Sequence, residues 1–351
     1  VITRIRTGVS SCHGCVDRGR YLGIPALVNA HIHLLDSAFP EIGVGLTLRE
    51  AVAPGAGLKH RMLSSLPRRR LEEAARRTIG YLLSTGTAAI GDFREGGLEG
   101  CMLGIGASRG TGMVYVPLCR PSAGLGDLEG VLETAAGLGL PSPLAYSRDE
   151  LGAIGSRAAE AGKPVHVHVS EDPEDHAAGD LRLALWDLGA DVLVHATHLE
   201  PGELEEAAGR IRGIVVCPRS NAWWSVGRPP LAGMLELGVT VALGTDNVAW
   251  VKPDMWREME EAFHLLRTQK PGFSDARAVL RAATVNGARL LGLEERGVLE
   301  EGYRADLALL EPGVMGLAYS GDPVATIVKR GGPEAVVETY VDGRPVYSLL
   351  G

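Results

Sequence analysis

The sequence is poor in the features that mark secreted, membrane-spanning and nucleic-acid-binding proteins. Its five cysteines in 351 residues are too few and too scattered for a disulfide framework. No apolar run reaches the length of a membrane span, and the opening VITRIRTGVS lacks a signal-peptide pattern. A formal net charge of −8, without any run of five like charges, argues against nucleic acid or an anionic membrane as the main partner. We therefore expect a cytoplasmic protein.

The cysteines that are present give no pattern for a structural metal site. Cys12 and Cys15 form the only CxxC pair, and a zinc site of four thiolates would need a second pair. We expect these two residues to be free or loosely structural thiols, with a local disulfide as the alternative. Cys101, Cys119 and Cys217 are isolated along the chain.

Short apolar segments alternate with segments of helical periodicity through most of the chain. The eight predicted strands are 24–33, 87–93, 112–118, 143–147, 164–169, 191–196, 212–218 and 239–246. Eight β/α units with a parallel sheet can close a (β/α)8 barrel, for which about 250 residues is a typical size. An open, doubly wound sheet is the alternative, but no GxGxxG fingerprint follows the first strand. The sequence therefore predicts an α/β fold, a TIM-like (β/α)8 barrel over residues 24–297.

Both ends of the chain are rich in short strand patterns and poor in helix. Residues 1–9 contain one strand candidate, and the C-terminal part contains GYRADLALLE, ATIVKR, AVVETYVDG and RPVYSL. The segment VDGRPV has the residues of a tight hairpin turn. We expect residues 1–23 and 298–351 to pair as one small β-sandwich domain beside the barrel.

Metal-competent side chains occur where several of the predicted strands end. HVHVSED places His166 and His168 on one face of a strand, because residues i and i+2 share a face, and Glu171 lies just past its end. Other strand ends carry the same residue types: His31 and His33, His195, and Asp246. Because barrel enzymes carry their catalytic residues at the carboxyl ends of the strands, this ordered set predicts a reaction site.

The remaining histidines are predicted to have other roles. We expect His166, one layer deeper than His168, to pack in the core, and His198 to lie at a helix start. The histidines expected at the surface are His13, His60, His176 and His264.

The residue types fit a catalytic metal. Zinc-like ions take imidazole nitrogen and carboxylate oxygen, and catalytic sites leave one position open for water. The predicted ligands are His31, His33, His168 and Asp246. Water on such an ion has a pKa of about 7, which gives hydroxide at neutral pH, and Asp246 could take its proton. Glu171 would carry a proton to the substrate. His195 would orient the hydroxide, with direct metal binding as the alternative.

Several segments together resemble the motifs of the amidohydrolase superfamily, in its cytosine-deaminase-like and chlorohydrolase–aminohydrolase branch. They are PALVNAHIHL, HVHVSED, VHATHL, VVCPRSN, ALGTDN and the stretch ATVNGARLLGL with GVLEEGYRADLALLE. The resemblance covers the chain from about residue 17 onward. It implies a distorted (β/α)8 barrel with a small β-sandwich from both termini.

The resemblance also implies a set of site residues. It implies one divalent metal ion, zinc in most members and iron in some. The matching metal ligands are His31, His33, His168 and Asp246. Residues matching Glu171 and His195 are the family's proton shuttle and its substrate- or water-orienting group.

Departures from the family pattern bear on the substrate and on the small domain. The segment before PALVN is short, so we expect the sandwich to be reduced at its N-terminal side. Leu144 stands where similar nucleoside deaminases carry a His after a Pro, which disfavours an adenosine-type ligand. No Lys stands at the fourth-strand end, which disfavours the carboxylated-lysine dinuclear site of hydantoinase-like members. Trp223, Trp224 and Arg228 could stack on a planar ring and bind an anionic group, with loop packing and a solvated Arg as the alternative.

The residues predict a metal-dependent enzyme, and the resemblance implies a hydrolase acting on carbon–nitrogen bonds. The preferred reaction is deamination of a small N-heterocycle by attack of metal-bound hydroxide, with Glu171 as proton shuttle. Hydrolysis of a cyclic amide or a C–Cl bond is the alternative, and a non-catalytic binding protein on this fold is a third. The expected partner is a small-molecule substrate, and the sequence leaves homo-oligomer formation open.

Overall fold

Two separate β-sheets organise the chain in the computed structural model, which describes residues 1–5, 18–53 and 57–350. The strands are β1 Leu22–Pro25, β2 Leu27–His33, β3 Thr87–Arg94, β4 Val114–Cys119, β5 Gly137–Leu140, β6 Val165–Val169, β7 Val192–His195, β8 Gly213–Val216, β9 Val241–Leu243, β10 Asp246–Asn247, β11 Leu307–Leu310, β12 Val336–Val341 and β13 Arg344–Ser348. The helices are α1 Leu48–Val52, α2 Leu58–Ser65, α3 Arg68–Ser84, α4 Gly97–Ser108, α5 Leu128–Thr134, α6 Arg148–Glu160, α7 Pro173–Ala177, α8 Asp180–Arg182, α9 Pro201–Ala208, α10 Pro218–Trp224, α11 Leu231–Glu236, α12 Met255–Gln269, α13 Ala276–Ala282, α14 Val285–Leu290 and α15 Pro323–Arg330.

The larger sheet is a closed ring with eight parallel strand positions. Strands β2 to β9 pair in sequence order, and β10 pairs with β2. β9 and β10 are two parts of one broken eighth strand, because β9 pairs with β8 while β10 pairs with the first barrel strand. Every residue of β2 and β3 is buried, as expected for parallel strands covered on both faces. The predicted (β/α)8 barrel is confirmed.

The eighth strand breaks where it passes β2. Gly244 lies between β9 and β10, and a Cβ atom there would lie 2.6 Å from the Cβ of His31. Two residues later, Asp246 has φ of 58°, in the left-handed region that side chains rarely adopt. The glycine therefore allows the close approach that closes the ring beside His31.

The fourth barrel strand lies elsewhere than predicted. The sequence predicted it at 143–147, but Pro143–Ala145 forms a 3-10 turn that Ser142 caps, and the strand is Gly137–Leu140. Its sequence, GLGL, is half glycine, and glycine has low strand propensity. A Cβ at Gly139 would lie 2.6 Å from the carbonyl oxygen of Leu118, so tight strand packing requires glycine here.

Both parts of the chain that flank the barrel contribute to the smaller, antiparallel sheet. Its strand order is β1-β11-β12-β13, with β1 paired to β11. The predicted strand 24–33 is thus two strands, one in each sheet. The predicted hairpin is confirmed, with positive φ at Asp342 and Gly343 as a two-residue turn requires. The small sheet is confirmed, while the domain limits 1–23 plus 298–351 and 24–297 stay a prediction.

One predicted strand of the small domain is a helix, and another forms no strand over the residues that the structure describes. ATIVKR belongs to helix α15, which Asp322 caps and which buries Ile327 and Val328. Residues 1–5 form no strand, although Ile2 exchanges backbone hydrogen bonds with residues 302–303. The rest of the strand candidate 1–9, together with Cys12 and Cys15, lies outside the described residues.

Two cysteines that look isolated in the sequence form a disulfide. Cys101 in α4 is bonded to Cys119 at the end of β4, with the Cα atoms 5.7 Å apart. The two residues are 18 positions apart, and only the packing of α4 against β4 brings them together. Cys217 is free and buried. Within the described part of the chain, no helix is both long and apolar enough to cross a membrane.

Candidate active site

The predicted metal ligands and His195 all lie at one end of the barrel. His31 and His33 lie in the last part of β2, His168 near the end of β6, and His195 at the end of β7. Asp246 begins β10, the second part of the eighth strand. Because the strands are parallel, their carboxyl ends meet at the same mouth of the ring.

These side chains converge. His31, His168, His195 and Asp246 each offer one ligand atom, and these atoms all lie within 4.8 Å of one another. His31 Nε2 is 3.2 Å and His33 Nε2 is 3.5 Å from Asp246 Oδ1. The closest group therefore contains His195, where the sequence prediction placed His33. The assignment of His31, His33, His168 and Asp246 as ligands stays a prediction.

Hydrogen bonds orient two of the imidazoles. His168 Nδ1 donates to the carbonyl oxygen of Leu140, 2.8 Å away. His195 Nδ1 donates to Asn221 Oδ1 at 3.1 Å. A histidine whose Nδ1 donates a hydrogen bond in this way can present the lone pair of Nε2 to an ion, the arrangement that metal-binding histidines use.

The donor set fits a divalent metal ion. Burial lowers the pKa of His31, lowers that of His33 to about 3, and lowers that of His168 well below its usual value. These rings are therefore neutral at physiological pH and can act as ligands. Among the described residues, His31 Nδ1 and His195 Nε2 have no hydrogen-bond partner although both are buried. Buried imidazoles next to a buried carboxylate match the ligand types of a divalent-metal site.

The backbone is strained around this cluster. Non-glycine residues with positive φ include Ser170 (47°), His195 (70°), Ala196 (50°) and Asp246 (58°), all at the barrel mouth. Each such conformation costs on the order of 1–3 kcal/mol and is common at functional sites. The fold therefore holds His195 and Asp246 in place against a local energetic cost.

A cavity of about 180 Å³ opens onto the cluster, and Glu171 lines it with His33, His168 and Asp246. Glu171 Oε1 is 3.7 Å from His195 Nε2, and burial raises the pKa of Glu171 to about 7. The carboxyl group thus faces the same space as the candidate ligands. His60, which the sequence placed at the surface, also lines this cavity because α2 covers one side of the mouth.

The predicted substrate residues do not line this cavity. Trp223 and Trp224 line a neighbouring hollow of about 650 Å³, which shares Arg49 with the first. Arg228 lines a third hollow of about 100 Å³ beside His264. A role of Trp223 and Arg228 in substrate binding stays a prediction.

Four charged residues at the mouth of the barrel were not predicted from the sequence. Glu95 accepts hydrogen bonds from His33 Nδ1 at 3.1 Å and from Arg94 Nη2 at 2.8 Å, and it pairs with Lys59 Nζ at 2.6 Å. Arg120 follows β4 and also lines the cavity. Three of these residues could have been identified from the sequence, because the segments DFRE and LCR place charged side chains at the ends of the second and third barrel strands.

Comparisons with known proteins agree with this architecture. A protein of Methanothermobacter thermautotrophicus, provisionally named an aminohydrolase, is 34% identical over 349 residues, which cover 94% of this chain and 88% of the relative. A 5-methylthioadenosine/S-adenosylhomocysteine deaminase of Moorella thermoacetica is 29% identical over 362 residues, covering 94% of this chain and 82% of the relative.

A solved structure shows the same fold. The crystal structure of an adenosine deaminase from Xanthomonas campestris with bound zinc matches with a TM-score of 0.81 at 21% identity, over 93% of this chain and 80% of that chain.

The sequence profile described as "Amidohydrolase family" matches residues 23–346. The chain belongs to the amidohydrolase family.

Proposed function

We propose that this protein is a metal-dependent aminohydrolase that releases ammonia from a small N-heterocyclic amine. The observation that carries the proposal is the group of three imidazoles and one carboxylate within 4.8 Å, at the mouth of the barrel. The cavity that reaches this group also contains Glu171. The deaminase relative from Moorella thermoacetica supports ammonia as the leaving group.

The metal would be held by residues of this cluster. His31, His168 and Asp246 belong both to the predicted ligand set and to the closest group of ligand atoms. Imidazole nitrogen and carboxylate oxygen favour zinc, with iron as the alternative. A bound divalent ion would supply Lewis-acid activation of water at neutral pH.

Glu171 would transfer the proton, and His195 would orient the attacking oxygen. Glu171 lies in the cavity wall and faces His195 Nε2 at 3.7 Å. We assign Glu171 to carry a proton to the ring nitrogen, so that the exocyclic amine leaves as ammonia. His195 is buried, and its Nδ1 is hydrogen-bonded to Asn221. Its Nε2 can therefore form a hydrogen bond with the oxygen that attacks the ring.

The test is ammonia release by the zinc-loaded protein from a panel of aminopurines, aminopyrimidines and aminotriazines. We expect at least one compound to be deaminated, and Glu171→Gln to lower kcat by about 10²–10⁴-fold while metal content is unchanged. Exposed Glu205→Gln is the matched control, with activity retained.

The same panel distinguishes the alternatives. Ring opening without ammonia, or chloride release from a chlorinated ring, would replace deamination by amide or C–Cl hydrolysis. Full activity of Glu171→Gln would remove this residue from the mechanism. The domain limits and the cytoplasmic location stay predictions.

A further inference from the structure

Two cationic side chains line the cavity that contains the candidate metal centre. Arg120 directly follows β4, and Lys59 lies in the first turn of α2. The side chain of Arg120 is 15% exposed to solvent, and that of Lys59 is 4% exposed. Burial of a cation is costly unless an anion compensates it, so each of these charges needs a partner.

Lys59 has its partners within the protein. Its Nζ lies 2.6 Å from Glu95 Oε1 and 3.4 Å from Asp36 Oδ2. The other oxygen of Glu95 accepts a hydrogen bond from Arg94 Nη2 at 2.8 Å. Both oxygens of Glu95 are therefore engaged by cations other than Arg120.

Arg120 lacks an equivalent partner. Its Nη2 is 3.8 Å from Glu95 Oε1, which is beyond hydrogen-bond length. Its buried Nε has no hydrogen-bond partner in the described part of the chain. A guanidinium offers five N–H donors in a planar fork that matches a carboxylate or a phosphate. Arg120 thus offers unsatisfied donors in the wall of the cavity.

None of the acidic residues that line the cavity forms an ion pair with Arg120 in the described part of the chain, and several of them have other partners. Asp172 Oδ1 accepts the backbone N–H groups of Glu174 and Asp175 at the start of α7. Arg49 Nη2 lies 2.9 Å from Glu174 and 3.2 Å from Asp175. Among the described residues, Arg120 therefore has no acidic residue of the cavity wall as an ion-pair partner.

We infer that the substrate of this site carries an anionic oxygen group, a carboxylate or a phosphate, that Arg120 binds while the ring lies against Glu171. Lys59 contributes positive potential beside it, although its own hydrogen bonds go to Glu95 and Asp36. The inference rests on the proposed function and narrows its substrate class to anionic N-heterocycles.

The first experiment measures ammonia release by the zinc-loaded protein from matched pairs of heterocyclic amines. Each ring is supplied with a neutral substituent and with the same substituent ending in a carboxylate or a phosphate. We expect kcat/KM to be at least about tenfold higher for the anionic member, and we expect Arg120→Gln to abolish this difference by lowering kcat/KM for the anionic member alone. Equal turnover of both members would overturn the inference and leave the deaminase proposal standing.

The second experiment does not depend on turnover. Thermal unfolding of the zinc-loaded protein is followed with increasing inorganic phosphate and, separately, acetate. We expect either anion to raise the Tm of the wild type and of Arg49→Gln, the matched control, but not that of Arg120→Gln. Anion binding that survives Arg120→Gln, for example on the metal, would overturn the inference, as would a wild type that neither anion stabilises. Circular dichroism and zinc content confirm that each variant is folded and loaded.

Discussion

At the scale of single residues, the barrel mouth combines neutral imidazoles with carboxyl groups held in a poorly solvated environment. Burial lowers the pKa of His33 and His168 and raises that of Glu171, so histidine lone pairs and a protonatable carboxyl group occur in one cavity. Such opposed shifts are typical of sites that bind a metal and transfer protons. Sequence reasoning identified these residues because strand periodicity and strand ends are visible in the chain.

The buried carboxyl group of Glu258 gives a pH prediction outside the metal cluster. Burial raises its pKa from 4.5 to about 7, although Arg219 opposes the shift with a backbone hydrogen bond and an ion pair. The folded state therefore binds more protons than the unfolded state between these values. The free energy of unfolding should fall as pH rises through this window, by up to about 3 kcal/mol.

Chemical denaturation between pH 4.5 and 8 measures this effect. Glu258→Gln should flatten the pH dependence, whereas Glu205→Gln, on the exposed face of α9, should leave it unchanged. A Glu258→Gln variant with the same slope as the wild type would contradict this account of the carboxyl group.

At the scale of secondary-structure elements, the eighth strand places Asp246 beside β2. It can do so because Gly244 lets the backbone approach His31, and the backbone of Asp246, at the start of β10, has a left-handed conformation. The motif LGTD was visible in the sequence, but the break in the strand was not. A strand break depends on the neighbour that the strand passes, and periodicity carries no information on that neighbour.

Gly244→Ala should therefore damage both the fold and the site. Its Cβ would lie 2.6 Å from His31 Cβ, so the two strands must separate. We expect a loss of about 2–3 kcal/mol in the free energy of unfolding and weaker zinc binding. Gly152→Ala in helix α6 is the control, since its Cβ position has no described atom within 4 Å beyond its chain neighbours and the nearby backbone of its own helix, and alanine favours a helix. Equal stability and zinc affinity of both variants would contradict the close-approach argument.

The glycine-rich fourth strand shows where sequence reasoning fails at this scale. GLGL lacks the β-branched residues that mark a strand, and its glycines are required by contacts with Leu118 and Pro164. The nearby segment SPLAYS has a more strand-like composition, yet Pro143 begins a 3-10 turn. Local propensity favoured the wrong segment because the decisive contacts are tertiary.

At the scale of the whole molecule, the alternation of strands and helices was sufficient to predict the barrel and the side on which its site lies. The charged group of Lys59, Glu95 and Arg120 was not predicted, because its members come from α2 and from two different strand ends. The disulfide between Cys101 and Cys119 was missed for the same reason, since it depends on how α4 packs on β4.

The central claim is that His31, His168 and Asp246, from three distant segments of the chain, hold one metal ion. The most direct measurement is the zinc content of the purified protein. The protein is loaded with zinc, dialysed against metal-free buffer and analysed by elemental mass spectrometry. We expect one equivalent in the wild type and in His264→Gln, whose side chain belongs to none of the candidate ligands. His31→Gln and His168→Gln should each lose the metal while circular dichroism shows the fold retained. Zinc retained at full stoichiometry by both variants, or absent from the wild type after loading, would contradict the account.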